Sequence, residues 1–89
     1  MCRNIKPLFN FEPAATEEDV HAAALQFVRK ISGYNKPSKA NEEAFHNAVD
    51  AITTISVALL RSLETTQAPK NREEENAKAR LRSARRFAK

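Results

Sequence analysis

Glycine is almost absent from this sequence, which contains one glycine, Gly33, among 89 residues. Loops that cradle phosphates, dinucleotide-binding fingerprints and tight hairpin turns each need glycine at fixed positions. This scarcity therefore argues against the usual nucleotide-dependent enzymes and against a protein built from β-hairpins. A chain of this length is expected to form one domain with one modest core.

Cysteine and long apolar runs are also scarce. The sequence has one cysteine, Cys2, which can form no disulfide within the chain and fits a reducing compartment. No apolar run approaches the ~18 residues of a membrane span, and no apolar stretch follows the first basic residues as it does in a signal peptide. We therefore expect a soluble, cytoplasmic protein that does not contact a membrane.

The signals that remain predict an all-α fold. Thr16 is a suitable N-cap for a first helix over residues 17–31, because three acidic residues follow it in the first turn. Gly33 stands where a helix commonly ends in the left-handed conformation. The apolar face of this helix has the spacing of one helical stripe and comprises Val20, Ala23, Ala24, Phe27, Val28 and Ile31.

A second, longer helix is predicted after a short connection that contains Pro37 and a capping residue, Ser38. Its apolar stripe is wide and must be buried. Because the connection is short, the two helices should form an antiparallel hairpin in which Phe27, Val28 and Ile31 pack into that stripe. The stripe comprises Phe45, Ala48, Val49, Ile52, Ile55, Ser56, Leu59 and Leu63, with Leu60 at its edge.

Two further segments complete the predicted fold. Asn71 followed by Glu74 is typical of a capping box, so a third helix is expected over residues 72–87, with an apolar side made mostly of alanine. Apolar residues between Pro7 and Pro13 predict an extended N-terminal arm across the hairpin. The predicted organisation is a hairpin domain with its arm, residues 1–68, followed by a basic helix or tail, residues 69–89.

Five features of the sequence are distinctive. They are Met1 to Ile5, Pro13 to Thr16, Ala22 to Lys30, Ser32 with Gly33, and Pro37 with Asn41. Together they resemble a family of small prokaryotic proteins known only as a domain of unknown function. The resemblance covers roughly residues 1–68, and it implies a prokaryotic, cytoplasmic origin but no activity, substrate or catalytic residue.

Few residues suggest catalysis or metal binding. Removal of Met1 would leave Cys2 at the N-terminus as a reactive thiol beside Arg3, but no partner histidine can be assigned, and a packed thiol is the simpler interpretation. The separations of Cys2, His21 and His46 match no zinc-ligand spacing, and Glu43 with His46 is one ligand-like pair without a counterpart. We therefore predict no metal, no cofactor and no catalytic residue.

The distribution of charge is more informative. Net charge is +2 over residues 1–39, −3 over residues 40–68 and +5 over residues 69–89. Five cations of the third helix recur on one face, whereas Arg80 points elsewhere. Such a face can contact successive phosphates, so binding of RNA or DNA is the first functional hypothesis. The alternative explanation is structural: acids at the start of a helix and bases at its end stabilise the helix dipole. The five are Lys78, Arg82, Arg85, Arg86 and Lys89.

Two alternatives stay open. The chain could be a module that binds another protein or a second copy of itself through exposed apolar residues such as Val57 and Leu60. An enzyme that uses Cys2 is the third hypothesis. The concentration of cations near the C-terminus favours nucleic acid, because a protein-interaction module does not require it.

Overall fold

The structure is a computed structural model that describes the backbone of residues 4–87 and the side chains of residues 4–84. Within these residues the fold is all-α, as predicted. It consists of α1 (Glu17–Ser32), a short 3₁₀ turn (Lys39–Asn41), α2 (Glu42–Ser62) and α3 (Arg72–Phe87). The observed limits of α1 and α3 differ from the predicted limits by at most one residue.

The ends of α1 are fixed by the residues that predicted them. The Thr16 hydroxyl accepts a hydrogen bond from the Asp19 backbone N–H at 3.2 Å, and the Asp19 carboxylate accepts one from the Thr16 backbone N–H at 2.9 Å. This reciprocal pair satisfies N–H groups that have no partner within the helix. Gly33 follows the last turn with φ 78°, a conformation that costs glycine little because it lacks a Cβ.

A small core joins α1 to α2 and confirms the predicted hairpin. Ala24 and Val28 on α1 are buried against Phe45 and Val49 on α2, and Val49 is the most completely buried, with 1% of its surface exposed. Leu25, Ala48 and Ile52 pack around this cluster and are partly buried. The core is therefore one layer of side chains between two helices.

The predicted packing of Phe27 and Ile31 into α2 is wrong. Phe27 retains 45% of its surface exposed and Ile31 retains 68%, although Ala24 and Val28 of the same apolar stripe are buried against α2. On α2 the predicted stripe is likewise only partly covered, since Ile55 is 70% exposed and Leu59 is 54% exposed. One helix cannot cover an apolar stripe as wide as this one.

The N-terminal arm lies across the hairpin, as predicted. The backbone N–H of Asn4 donates to the Gln26 side-chain oxygen at 2.9 Å, which attaches the start of the arm to α1. Further along, Leu8 and Phe11 line a groove with Val57 and Leu60 of α2. Val57 and Leu60 are therefore half-buried beneath the arm, and the prediction that they offer an exposed contact surface is wrong.

The arm also holds the segment that leads into α3. The Lys70 N–H donates to the Asn10 carbonyl at 2.8 Å, and the Glu12 N–H donates to the Lys70 carbonyl at 2.9 Å. Asn10 itself adopts φ 64°, a left-handed conformation that asparagine tolerates, and its side-chain amide donates to the carbonyls of Gln67 and Ala68. The start of α3 is thereby fixed relative to the hairpin.

Candidate nucleic-acid interface

The helix α3 is anchored at its first turn. The Asn71 side-chain oxygen accepts a hydrogen bond from the Glu74 N–H at 3.0 Å, which is the predicted cap. The Arg72 guanidinium lies over the Phe11 ring, 3.7 Å from its centroid, and also donates to the Pro7 carbonyl. A guanidinium over an aromatic face is attractive because the ring face is negative. Arg72 therefore fastens the first turn of α3 to the arm.

Beyond this turn, α3 extends away from the hairpin. Over the part of the chain that the structure describes, α3 packs against neither α1 nor α2. Its apolar side is weak, since Ala77 is half-buried while Leu81 keeps 59% of its surface exposed. Most of this helix is therefore accessible to a partner.

Charge is divided along α3. The acidic residues Glu73, Glu74 and Glu75 occupy the first turn, where their negative charges interact favourably with the positive end of the helix dipole. From residue 76 to residue 87 the sequence has five cations and no acid. Lys78 makes a long ion pair of 3.7 Å with Glu75 and remains largely exposed. All charged residues in the distal part of the helix are therefore cations.

The structure places part of the predicted basic face. Lys78 and Arg82 are exposed and one turn apart on the same side of α3, and Arg80 is exposed on the other side. The helical backbone includes positions 85 and 86, so the register that groups them with Arg82 is retained. Lys89 lies outside the described residues.

The residues considered for catalysis or metal binding are not brought together in the described structure. Cys2 lies outside the described residues. His21 and His46 are exposed, and the His46 ring meets the edge of Phe45 with centroids 5.5 Å apart. Within residues 4–84, no three side chains of His, Cys, Asp and Glu are grouped as a metal site would require.

Sequence reasoning missed Arg72 and Phe11, which orient α3. The two residues are 61 positions apart, and neither belongs to a motif that would pair them. Arg72 was visible only as one more cation at the start of a helix. A pairing between the arm and the segment before α3 could be found only from the three-dimensional structure.

The fold and this surface define the class of protein: a small helical-hairpin protein that carries a separate, cationic third helix. The chain belongs to the uncharacterized conserved protein family DUF2277, whose pattern matches residues 1–78. The match extends past the residues that carried the resemblance and includes the first half of α3. No curated protein and no solved structure matches the chain. No helix among the described residues has the length and apolar character needed to cross a membrane.

Proposed function

We propose that this protein binds nucleic acid in the cytoplasm through the cationic face of α3, with the hairpin and the arm acting as the base from which that helix extends. The single observation that supports this proposal most strongly is the accessibility of α3. Lys78, Arg80 and Arg82 face solvent, and the described part of the helix has no contact with α1 or α2 that would explain its presence as a structural element.

The spacing of the cations suits a phosphate backbone. With a rise of about 1.5 Å per residue, positions 78 and 86 are separated by about 12 Å along the helix axis. A row of this length can contact more than one phosphate of a strand, because successive phosphates rise by about 3.4 Å along a duplex axis. The row contains Lys78, Arg82, Arg85 and Arg86. Contacts of this kind fix position on the backbone without reading sequence.

The helix dipole alone does not account for these charges. A cation stabilises the negative end of a helix dipole only within about the last turn, and the effect is worth about 0.3–1 kcal/mol. Lys78 and Arg82 precede the last turn of α3, which ends at Phe87. Their presence on an exposed side is better explained by an anionic partner.

A pair of double variants tests this proposal. Replacing Arg82 and Arg85 together by Gln should weaken binding of a labelled single-stranded RNA about tenfold or more, because each lost charge-assisted contact is worth at least ~0.7 kcal/mol after screening. Fluorescence anisotropy at ~50 mM salt measures the affinity. The matched control replaces Lys36 and Arg80 by Gln, which removes the same charge from exposed positions off the proposed face.

The control should change the affinity by less than about threefold, since loss of net charge acts only through long-range attraction. Equal weakening by the two double variants would mean that diffuse charge is responsible and that no defined face exists. Absence of binding by the unmodified chain at this salt concentration would contradict the proposed function.

A further inference from the structure

The hairpin leaves a set of large apolar side chains uncovered. Five of them, called here the apolar face, are Ile5, Phe27, Ile31, Ile55 and Leu59. Each keeps more than two fifths of its surface exposed, and Ile55 keeps 70%. Scattered apolar residues on a protein surface need no explanation, but a contiguous apolar patch commonly marks a binding surface.

The apolar face is contiguous. Ile5, Phe27 and Leu59 line one shallow groove of about 320 Å³ between the arm, α1 and α2, and Ala23 and Ile52 form its floor. Ile55 precedes Leu59 by one helical turn, and Ile31 follows Phe27 by one turn, so both extend the same sides of their helices. The exposed apolar surface therefore runs along both helices of the hairpin.

The α2 part of this face is uncharged. The exposed side of α2 next to the core carries Ile55 and Leu59. Charged residues of the helix such as Asp50 and Arg61 project from other sides, by the helical period. A surface without charge can meet an identical surface without repulsion between like charges, although the whole chain carries a net charge of +4.

The chain is flat and more extended than a compact domain. It measures 46 × 39 × 15 Å, and its radius of gyration is 15.9 Å, whereas a compact chain of 89 residues has about 12 Å. The extended α3 contributes to this difference. Among the described residues, α1 and α2 pack against each other and the arm, and no third helix packs on the apolar face.

The exposed area is sufficient for a dimer. The accessible surface is 7375 Å², compared with about 5200 Å² for a compact monomer of 10.0 kDa. Part of this excess belongs to the extended α3. The whole excess is about 2200 Å², compared with the roughly 800 Å² that each partner contributes to a specific interface of standard size.

We propose that the apolar face binds a second copy of this chain, so that two hairpins pack face to face as a symmetric four-helix dimer. A two-fold interface brings the same patch together from both subunits, and an apolar patch whose α2 part carries no charge satisfies that requirement. In the dimer each hairpin covers the apolar face of the other, and the helices pack as in other four-helix bundles.

The apolar side of α3 would cover the apolar face less completely than a second copy of the hairpin. It offers Ala77, Leu81 and Ala84, which present small side chains apart from one leucine. Five large residues of the apolar face would keep much of their surface uncovered beneath such a helix. A second hairpin, by contrast, presents five large side chains of its own.

Sedimentation equilibrium of the full chain tests this proposal. The unmodified protein should sediment at twice its mass of 10.0 kDa at concentrations of about 10–100 μM, within the range of an ordinary homodimer. Ile55→Asp should raise the dimer dissociation constant at least about 100-fold, because two-fold symmetry places a charge at the interface from both subunits. Ile31→Asp on α1 provides a second, independent disruption.

Thr54→Asp is the matched control. It introduces the same side chain at the adjacent, exposed position of α2. That position lies about 100° around the helix from Ile55 and about 140° from Leu59, outside the apolar face. It should leave the dimer intact, and circular dichroism should show that all three variants keep their helices. A monomeric unmodified protein at ~100 μM would overturn the proposal and mean that α3 or a different partner covers the face. Equal dissociation by Thr54→Asp and Ile55→Asp in folded proteins would also overturn it.

Discussion

Phe45→Ala is expected to destabilise the protein by about 3–5 kcal/mol, a loss that approaches the whole stability of a small domain. Phe45 is 6% exposed and lies in a cluster of four buried side chains with Ala24, Val28 and Val49, and only Phe11 and Val20 are buried besides these among the described residues. A core this small has few other contacts to compensate for the cavity that alanine leaves. Urea denaturation followed by circular dichroism measures the change.

An exposed position on the same helix provides the control for Phe45→Ala. Thr54→Ala on the same helix alters an exposed side chain and should change the free energy of unfolding by less than about 0.5 kcal/mol. A loss below about 1 kcal/mol for Phe45→Ala would show that the two helices are not held together by this cluster. The hairpin would then need a different core.

Truncation after Asn76 is expected to abolish nucleic-acid binding while the hairpin stays folded. The truncation removes six cations and no acid, so the net charge changes from +4 to −2. It retains Arg72, whose guanidinium contacts the Phe11 ring and the Pro7 carbonyl. The arm therefore keeps its attachment, and the α1–α2 core is untouched.

Two measurements separate the effects of this truncation. Anisotropy with labelled RNA should show no binding at ~50 mM salt, and thermal denaturation should remain cooperative. If the truncated chain binds RNA as tightly as the full chain, the binding surface lies elsewhere and α3 has another role. The predicted domain boundary between residues 68 and 69 stays a prediction. Truncation after Asn76 is used here because truncation at Ala68 would also remove the contacts of Lys70 and Arg72 with the arm.

The helices of this protein could be predicted closely from sequence because local chemistry fixes their ends. Thr16 and Asp19 form a reciprocal cap whose residues lie three positions apart, and Gly33 supplies a left-handed residue directly after the helix. These interactions depend on neighbours in the chain. Sequence spacing is therefore enough to recognise them.

The packing of the helices was harder to predict. Phe27 and Ile31 belong to the same apolar stripe as Ala24 and Val28, yet only the last two are buried against α2. Helical periodicity shows which residues share a face, but it shows neither how one helix is rotated against another nor how far along the helix the contact extends. The apolar residues that stay uncovered are those of the proposed dimer surface.

For the candidate site, the cations could be identified from the sequence, but the position of α3 relative to the hairpin could be seen only in the structure. The grouping of Lys78 with Arg82 follows from helical spacing alone. The separation of α3 from the hairpin and its attachment through Arg72 depend on contacts between distant parts of the chain. Such contacts have no local signal in the sequence. The accessibility of α3, on which the proposed function depends, could therefore not be predicted from the sequence.

The dependence of RNA affinity on salt concentration is the most direct test of the central proposal that α3 binds phosphates. Contacts from about four cations predict a log–log slope of roughly −2.8 on single strands, which corresponds to about 50-fold weaker binding at 200 mM than at 50 mM salt. Replacing Arg82 and Arg85 by Gln should reduce the magnitude of the slope by about 1.4, whereas the control at Lys36 and Arg80 should leave it unchanged. A slope near zero, or a slope that the two double variants alter equally, would contradict a phosphate-binding face on α3.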